Sequence, residues 1–381
     1  METARRRAKA RVAIICSGMD RVKRGYEIHA RDLFDLLRDD PEIELTLLKG
    51  NGPRQAGEKV VFNLHRDGFV NRLLCRVVGM RWKYYIEYVS YALGLLPMLL
   101  FRSFDAFYVM EAPLYKFLSR WRERTNARYK LIHPTGGQLG VLPATARDYV
   151  HHVTPCYMSV AEQCGFARQN QFLIPHFINV ANVTSARDGA PRKRLRDQLA
   201  IPCGMRVVLS VGSIDSQVKR MDYVIRECAA IKQPVFLLLL GQQDAASISI
   251  HKLASDQLGA HRFAILTVPR EVIYDYYALA DAFVLASLRE GFGLVFLEAL
   301  ACGVPVITHD YDVSRYVLQD QGTLTDLSEP GALARTLEKV LAEPQTDAVR
   351  RARVDYVRRT YGAETLKEHY RRMFLTVCGT A

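Results

Sequence analysis

The stretch from Ala282 to His309 constrains the fold more than any other part of the 381-residue chain. It reads as strand, glycine-rich loop, helix, strand. Asp281 to Ala286 is a short apolar run of buried-strand type, and Glu290-Gly291-Phe292-Gly293 is a loop. Leu294 to Ala301 carries helix formers with apolar spacing, Gly303 ends it, and Val304 to Thr308 is a second buried strand. Two glycines in such a turn let backbone approach a ligand closely, and the helix that follows points unpaired N–H groups and a positive dipole end at an anion. A diphosphate suits that place. Glu298, about one turn into the helix, is placed to accept hydrogen bonds from ribose hydroxyls, and Glu290 from a sugar at the other end. The plainer alternative is a surface glutamate beside a loop and a helix glutamate set by the dipole.

Glu290 and Glu298, with Gly-Phe-Gly-Leu between them and Glu-Ala-Leu-Ala-Cys-Gly-Val-Pro-Val-Ile running on from Glu298, resemble the signature of retaining GT-B glycosyltransferases of family four. The resemblance is strongest at Asp281 to Asp310, moderate at Val207 to Ile225 and Asn170 to Ile178, and weak before Phe104. It implies an α/β fold of two Rossmann-like doubly wound domains facing a cleft, with a C-terminal helix crossing back to the first. The corresponding division is an acceptor-side domain at 1–184, a linker at 185–205, a nucleotide-sugar domain at 206–360 and the returning helix at 361–381.

Taken in order, Val12 to Cys16 is a buried first strand, and a helix with an approximate apolar face begins near Gly25. A strand, a loop and a helix place anions at the helix start; the resemblance puts Gly25 near the donor diphosphate, while a simple βα turn explains the same residues. Ile43 to Lys49 is a second strand. From Asn71 to Phe101 the chain is aromatic, apolar and studded with Arg72, Arg76, Arg81 and Lys83. Its core, Ile86 to Phe101, is too short to span a bilayer and reads as a buried helix leading to the strand Ala106 to Met110; the alternative is an amphipathic surface at a membrane interface. Tyr129 to His133 is another strand, ending in His133-Pro134-Thr135-Gly136-Gly137. A histidine at the carboxyl end of a parallel strand is placed to touch a ligand, and the resemblance makes it a contact of the transferred hexose; the alternative is a locally satisfied imidazole. His151 and His152 precede a short strand and read as structural.

After Thr184 the composition turns polar and basic, the expected linker. A second doubly wound unit follows: strand Arg206 to Val211, turn at Gly212, Lys219-Arg220 opening a helix, strands Pro234 to Leu240 and Phe263 to Leu266, and a helix Val272 to Ala280. A lysine and an arginine at a helix start oppose its dipole unless an anion is bound there. In the family an arginine follows the glycine equivalent to Gly212 and a lysine comes six residues later; Lys219 fits, but Ser213 stands in the arginine's place. Asp310-Tyr311-Asp312 is read as a loop and helix-capping feature and not as a metal triplet. Residues 330–341 and 347–377 read as helices.

The net charge of +12 calls for anionic company. No nucleic-acid module is recognisable, so phosphorylated substrates or a membrane surface are the expected partners. Basic residues concentrate at Arg5 to Arg11, a solvated tail or a tether to anionic headgroups. Eight scattered cysteines without C-x-x-C spacing exclude a zinc or disulfide framework and fit a cytoplasmic protein, with the inner face of a membrane as a place of work. The resemblance implies a metal-independent, retaining hexosyl transfer from a nucleotide-diphosphate sugar to a glycan or lipid-linked acceptor, with no further cofactor, in surface polysaccharide or lipid-linked glycan assembly. Gly25, Gly212, Lys219, Arg220 and the Gly291-Phe292-Gly293-Leu294 loop would serve the diphosphate, Glu298 the ribose, and Glu290 with His133 the sugar; His133, Glu290 and Lys219 are the expected catalytic residues. The rivals are a nucleotide-sugar epimerase and a non-catalytic basic binding protein of the same shape.

Overall fold

The computed structural model describes residues 9–21, 25–136, 148–180, 183, 190–245 and 247–380. Arg5 to Arg7 of the basic tail, Gly137 and residues 185–189 of the expected linker lie outside the described residues. The chain divides into two compact units, one made of Met1–His176 and Leu366–Ala381, the other of Phe177–Thr365. Both are Rossmann-like.

In the first unit the strands are β1 (Ala10–Cys16), β2 (Ile43–Lys49), β3 (Glu58–Val60), β4 (Ala106–Val109), β5 (Lys130–Thr135), β6 (Asp148–His152) and β7 (Gln171–Leu173). They form one sheet in the order β3-β2-β1-β4-β5-β6-β7, every pair parallel. The near-continuous apolar runs of β1 and β4 follow from burial on both faces. The helices are α1 (Gly25–Leu37), α2 (Phe69–Val78), α3 (Lys83–Phe101), α4 (Ala112–Thr125) and α5 (Pro155–Gln163). Helix α3 is longer than the expected buried core, and only one side of it is buried, by Glu87, Ser90, Tyr91, Ala92 and Leu95. Tyr91 and Leu95 join Ile15, Leu48 and Val109 in the core over the sheet.

In the second unit the strands are β8 (Arg206–Val211), β9 (Val235–Leu240), β10 (Phe263–Leu266), β11 (Ala282–Leu285), β12 (Val306–His309) and β13 (Gly322–Thr325), parallel in the order β10-β9-β8-β11-β12-β13. The helices are α6 (Ala190–Gln198), α7 (Met221–Ala230), α8 (Ser247–Leu258), α9 (Ile273–Leu279), α10 (Leu294–Ala301), α11 (Asp312–Leu318), α12 (Ala332–Ala342), α13 (Asp347–Tyr361) and α14 (Ala363–Cys378). Much of the segment read as a linker is thus the helix α6. Its basic residues are engaged: Arg192 donates to Asp281 at 2.9 Å and Arg194 to Asp275 at 2.9 Å. The helices expected at 347–377 are two, α13 and α14, separated where Ile178 pairs with the chain. Ile178 N donates to Tyr361 O and Ala363 N to Ile178 O, which fixes a break at Gly362.

His151 and His152 lie within β6, not ahead of a strand, and are structural. His151 Nε2 donates to Ile174 O at 2.7 Å, which leaves Nδ1 to accept from the Tyr108 hydroxyl at 2.8 Å. His152 Nε2 meets Gln171 Oε1 at 2.8 Å. His29 and His176 lie nearby with ring centroids 4.0 Å apart and their planes tilted by 51°. Burial pushes the imidazoles down, His151 and His152 to about 4 and His176 to about 3. An imidazole kept neutral this way contributes stability that is present above its unfolded value of 6.5 and lost as pH falls toward the folded values. We therefore expect each of these three to cost roughly 2 kcal/mol by pH 5. The urea midpoint, followed from pH 7 to pH 5, should fall steeply; a flat profile would contradict the neutral cluster.

Candidate active site

In each sheet the strand order reverses beside the first strand of the unit, between β1 and β4 and between β8 and β11. Ligands of open parallel sheets gather outside the carboxyl ends of strands at such points. The two loops that leave β8 and β11 therefore meet, and with them residues far apart in sequence.

The loop after β8 is organised by Asp215. Its Oδ1 accepts from the backbone N–H groups of Gln217, Val218 and Lys219 at 3.0, 2.6 and 3.0 Å, and its Oδ2 from the Ser213 hydroxyl. Burial acts to raise the Asp215 pKa, but the Ser213 hydroxyl and the loop amides outweigh it and hold the carboxyl below its ordinary range. Ser213, in the place of the family's arginine, thus serves the loop itself. The stem of Lys219 lies directly over Gly212: a Cβ built there would sit 2.9 Å from Lys219 Cγ and Cε. Glycine is what lets the lysine run back along the strand end. Lys219 Nζ then reaches Glu290 Oε1 at 2.5 Å, both side chains mostly shielded from solvent.

Arg220 takes the left-handed conformation at φ 51°, as the cap of α7. Its Nη1 donates to Leu327 O at 2.7 Å and Ala286 O at 3.3 Å, and its guanidinium stacks 4.4 Å from the Tyr223 ring centre. It binds the loop to the end of β11 as a brace.

The loop after β11 carries Glu290 and Gly291, then Phe292, which is buried and packs edge-on against Tyr361 at 5.9 Å. Gly293 caps α10 at φ 86°, without a side-chain hydrogen bond to the helix. A Cβ there would lie 2.3 Å from the Phe296 ring, so both conformation and space demand glycine. Leu294 opens the helix. Glu298, in its second turn, is buried, and its Oε2 accepts from the Tyr277 hydroxyl at 2.7 Å. The structure thus brings Gly212, Lys219, Arg220, Glu290, Gly291, Phe292, Gly293, Leu294 and Glu298 into one pair of loops and the helix that follows.

His133 and Gly25 belong to the first unit. His133 Nδ1 donates to Val109 O at 3.0 Å, so the neutral ring keeps Nε2 as an acceptor, and burial lowers its pKa. Gly25 opens α1 with no described atom within 4 Å of a Cβ placed on it. At the same strand ends stands Glu111, absent from the sequence reading. It follows β4 at the point where the order reverses, and its Oε1 accepts from Ser17 N and Ser17 Oγ at 2.8 and 3.0 Å. Its Oε2 is buried without a hydrogen-bond partner among the described residues. Burial pushes its pKa up to about 7, against the two bonds from Ser17. An acid just past a buried strand was the available signal. Asp310, of the acidic triplet, pairs with Arg315 at 2.6 Å, and the start of α11 is closed by Ser314, whose hydroxyl accepts from Tyr311 N at 3.1 Å.

Residues 191–358 match the family model of glycosyl transferases group 1. The match lies within the second unit and is a similarity of that segment, and the fold is of the GT-B class. The chain is 31% identical over 173 residues to the D-inositol 3-phosphate glycosyltransferase of Xylanimonas cellulosilytica, an overlap of 44% of this chain and 40% of that one. It spans about two-fifths of the length of the curated relatives it matches. Among solved structures it superposes on the sucrose-phosphate synthase of Thermosynechococcus elongatus with a TM-score of 0.78 at 18% identity, over 98% of this chain and 100% of the other. HepE of Anabaena, solved with UDP and glucose, gives 0.72 at 14% identity over 96% and 100%.

The Glu111 carboxyl supplies a test of its surroundings. A carboxyl raised to about 7 holds a proton in the folded state that the unfolded chain has released, so stability falls as pH rises from about 4.5 to 7 and stays low above. Glu111→Gln keeps an oxygen for Ser17 and removes the charge. The variant should match the wild type near pH 5 and exceed it by roughly 3 kcal/mol at pH 8 in urea unfolding. An unchanged difference across that range would mean the carboxyl is solvated.

Proposed function

We propose that the protein transfers a hexosyl group from a nucleotide-diphosphate sugar to an acceptor hydroxyl, with retention of anomeric configuration and without a metal. The observation that carries this reading is the Lys219–Glu290 pair, set three residues before a helix whose first amides have no side-chain cap. A helix start of this kind binds a diphosphate through backbone N–H groups, which Gly291, Gly293 and Leu294 would offer. Lys219 is the mobile cation beside it, able to exchange its carboxylate partner for the charge that grows on the leaving diphosphate. Glu290 then turns to the sugar hydroxyls. Glu298, oriented by Tyr277, would hold the ribose.

The bond from the anomeric carbon to the diphosphate breaks, a bond to the acceptor oxygen forms on the same face, and the acceptor proton passes to the departing diphosphate oxygen. The protein's share is positioning and charge stabilisation. Glu111, with its unpartnered oxygen at the carboxyl end of the first sheet, is the group we assign to the acceptor hydroxyl. That the relative HepE was solved with UDP and glucose supports a uridine donor as the first to try. A glycan or lipid-linked acceptor in surface polysaccharide assembly fits the basic charge of the chain.

The test is a panel of nucleotide sugars. A donor at about 100 times its Kd adds about 2.7 kcal/mol to the folded state, a rise of roughly 5 to 10 °C in Tm. With the donor so found, Glu290→Gln should lower transfer at least about a hundredfold while circular dichroism and apo Tm stay unchanged. Full activity in that variant would sink the assignment. Donor conversion without any acceptor would point to an epimerase instead.

A further inference from the structure

Helix α2 of the first unit is built inside out, and α3 is apolar on its outer face as well as on its inner one. In α2 the inward side carries Asn71, fully buried, whose Nδ2 donates to Leu64 O at 2.8 Å and Lys83 O at 3.0 Å, and Cys75, whose Sγ donates to Asn71 Oδ1 at 3.2 Å. The outward side carries Phe69 (75% exposed), Val70, Leu73, Leu74 and Val77 (85% exposed). In α3 the buried side includes Glu87, held by Arg66 at 2.5 Å, while Tyr84, Tyr85, Val89, Leu93, Leu100 and Phe101 face out. An ordinary surface helix shows the reverse arrangement. Contiguous exposed apolar surface of this kind marks an interaction site.

We infer that this surface docks in the headgroup region of an anionic lipid bilayer. Charge decides the occupant. Arg72, Arg76, Arg81 and Arg102 are exposed among the apolar residues and Lys83 is partly so, whereas Asp67 is the one exposed acid between residues 62 and 102. Arg72 and Arg76 stand one turn apart on one edge of the apolar face of α2. A symmetric dimer would lay the patch on its own copy and set cations against cations, with no carboxylates to answer them. Lipid phosphates answer them directly, and each cation near such a surface adds to the attraction. Trp82, Tyr84 and Tyr85 have the amphipathic rings that settle at headgroup depth. By length and composition α3 is long and apolar enough to cross a membrane. It does not leave the unit, because Tyr91 donates to Leu48 O at 2.7 Å and packs with Leu95 against the sheet. It lies along the interface with its outer face immersed.

The inference is independent of the transfer reaction. The full-length protein is sedimented with sucrose-loaded vesicles of phosphatidylcholine alone or of equal parts phosphatidylglycerol and phosphatidylcholine. Partition into the anionic vesicles should exceed that into neutral ones by about tenfold or more, and fall as salt rises. Arg72→Glu/Arg76→Glu and, separately, Phe69→Ser/Val77→Ser should each abolish most of that excess. These side chains are exposed, so both variants should keep the wild-type circular dichroism and Tm. Equal pelleting with both vesicle types, or variants that still partition as the wild type does, would overturn the inference. So would concentration-dependent dimers in analytical ultracentrifugation that Phe69→Ser/Val77→Ser abolishes, since the face would then be a contact between copies.

Discussion

The ion pair of Lys219 and Glu290 is the contact on which the candidate site depends, and it exists because of what Gly212 lacks. Seventy-one residues separate the partners, and the adjacency of β8 and β11 brings their loops together. A side chain at Gly212 would occupy the path of the lysine stem. Asp215 gathers three amides so that the loop delivers Lys219 to one place, and Arg220, locked in a left-handed conformation, braces it against the end of β11. An ion pair that still touches solvent adds little to stability. The value of this one lies in holding a cation where a leaving anion would need it.

Strands β8 to β12 of the second unit and the helix from Leu294 to Ala301 were legible because their signals are local: apolar runs of strand length, a glycine loop and a glycine stop; β13, four half-buried residues with two threonines and a glycine, carries no such run. The approximate Rossmann pattern of the first unit was legible for the same reason. What escaped depended on partners remote in sequence. Asp215 is an unremarkable loop acid until the amides of residues 217–219 turn toward it. Glu111 acquires its character from burial among the strand ends, where its hydrogen-bond partner Ser17 is ninety-four positions away. Arg220 looked like a phosphate ligand, yet the carbonyls of Ala286 and Leu327 that claim it are set by tertiary folding. Basic residues alone gave residues 190–198 the look of a linker, whereas Asp275 and Asp281 hold them as a docked helix.

The helices α2 and α3 show the limit from another side. An apolar, aromatic run has the same composition whether it lines a core or faces outward. Only the inward turn of Asn71, Cys75 and Glu87 reveals which way these helices face. Polar groups are normally buried only when bonded, and here each has its partners in the chain segment between Leu64 and Lys83 or in Arg66. The orientation of α2 is therefore specified by hydrogen bonds, that of α3 by hydrogen bonds together with Tyr91 and Leu95 in the core, and the outer hydrophobic residues are left to face whatever meets them.

The final helix carries a consequence for how the chain comes to be folded. Tyr370 and Phe374 are fully buried in the first unit; Tyr370 donates to Pro175 O, and Phe374 packs edge-on to Tyr108. Arg371 ties the same helix to Asp40. The unit that leaves the ribosome first thus lacks part of its interior until the residues from Leu366 onward have been made. The second unit, whose residues are contiguous from Phe177 to Thr365, is complete before that. Synthesis order and maturation order are inverted, and a nascent chain stalled before Leu366 would present a finished second unit joined to a first unit still awaiting its keystone.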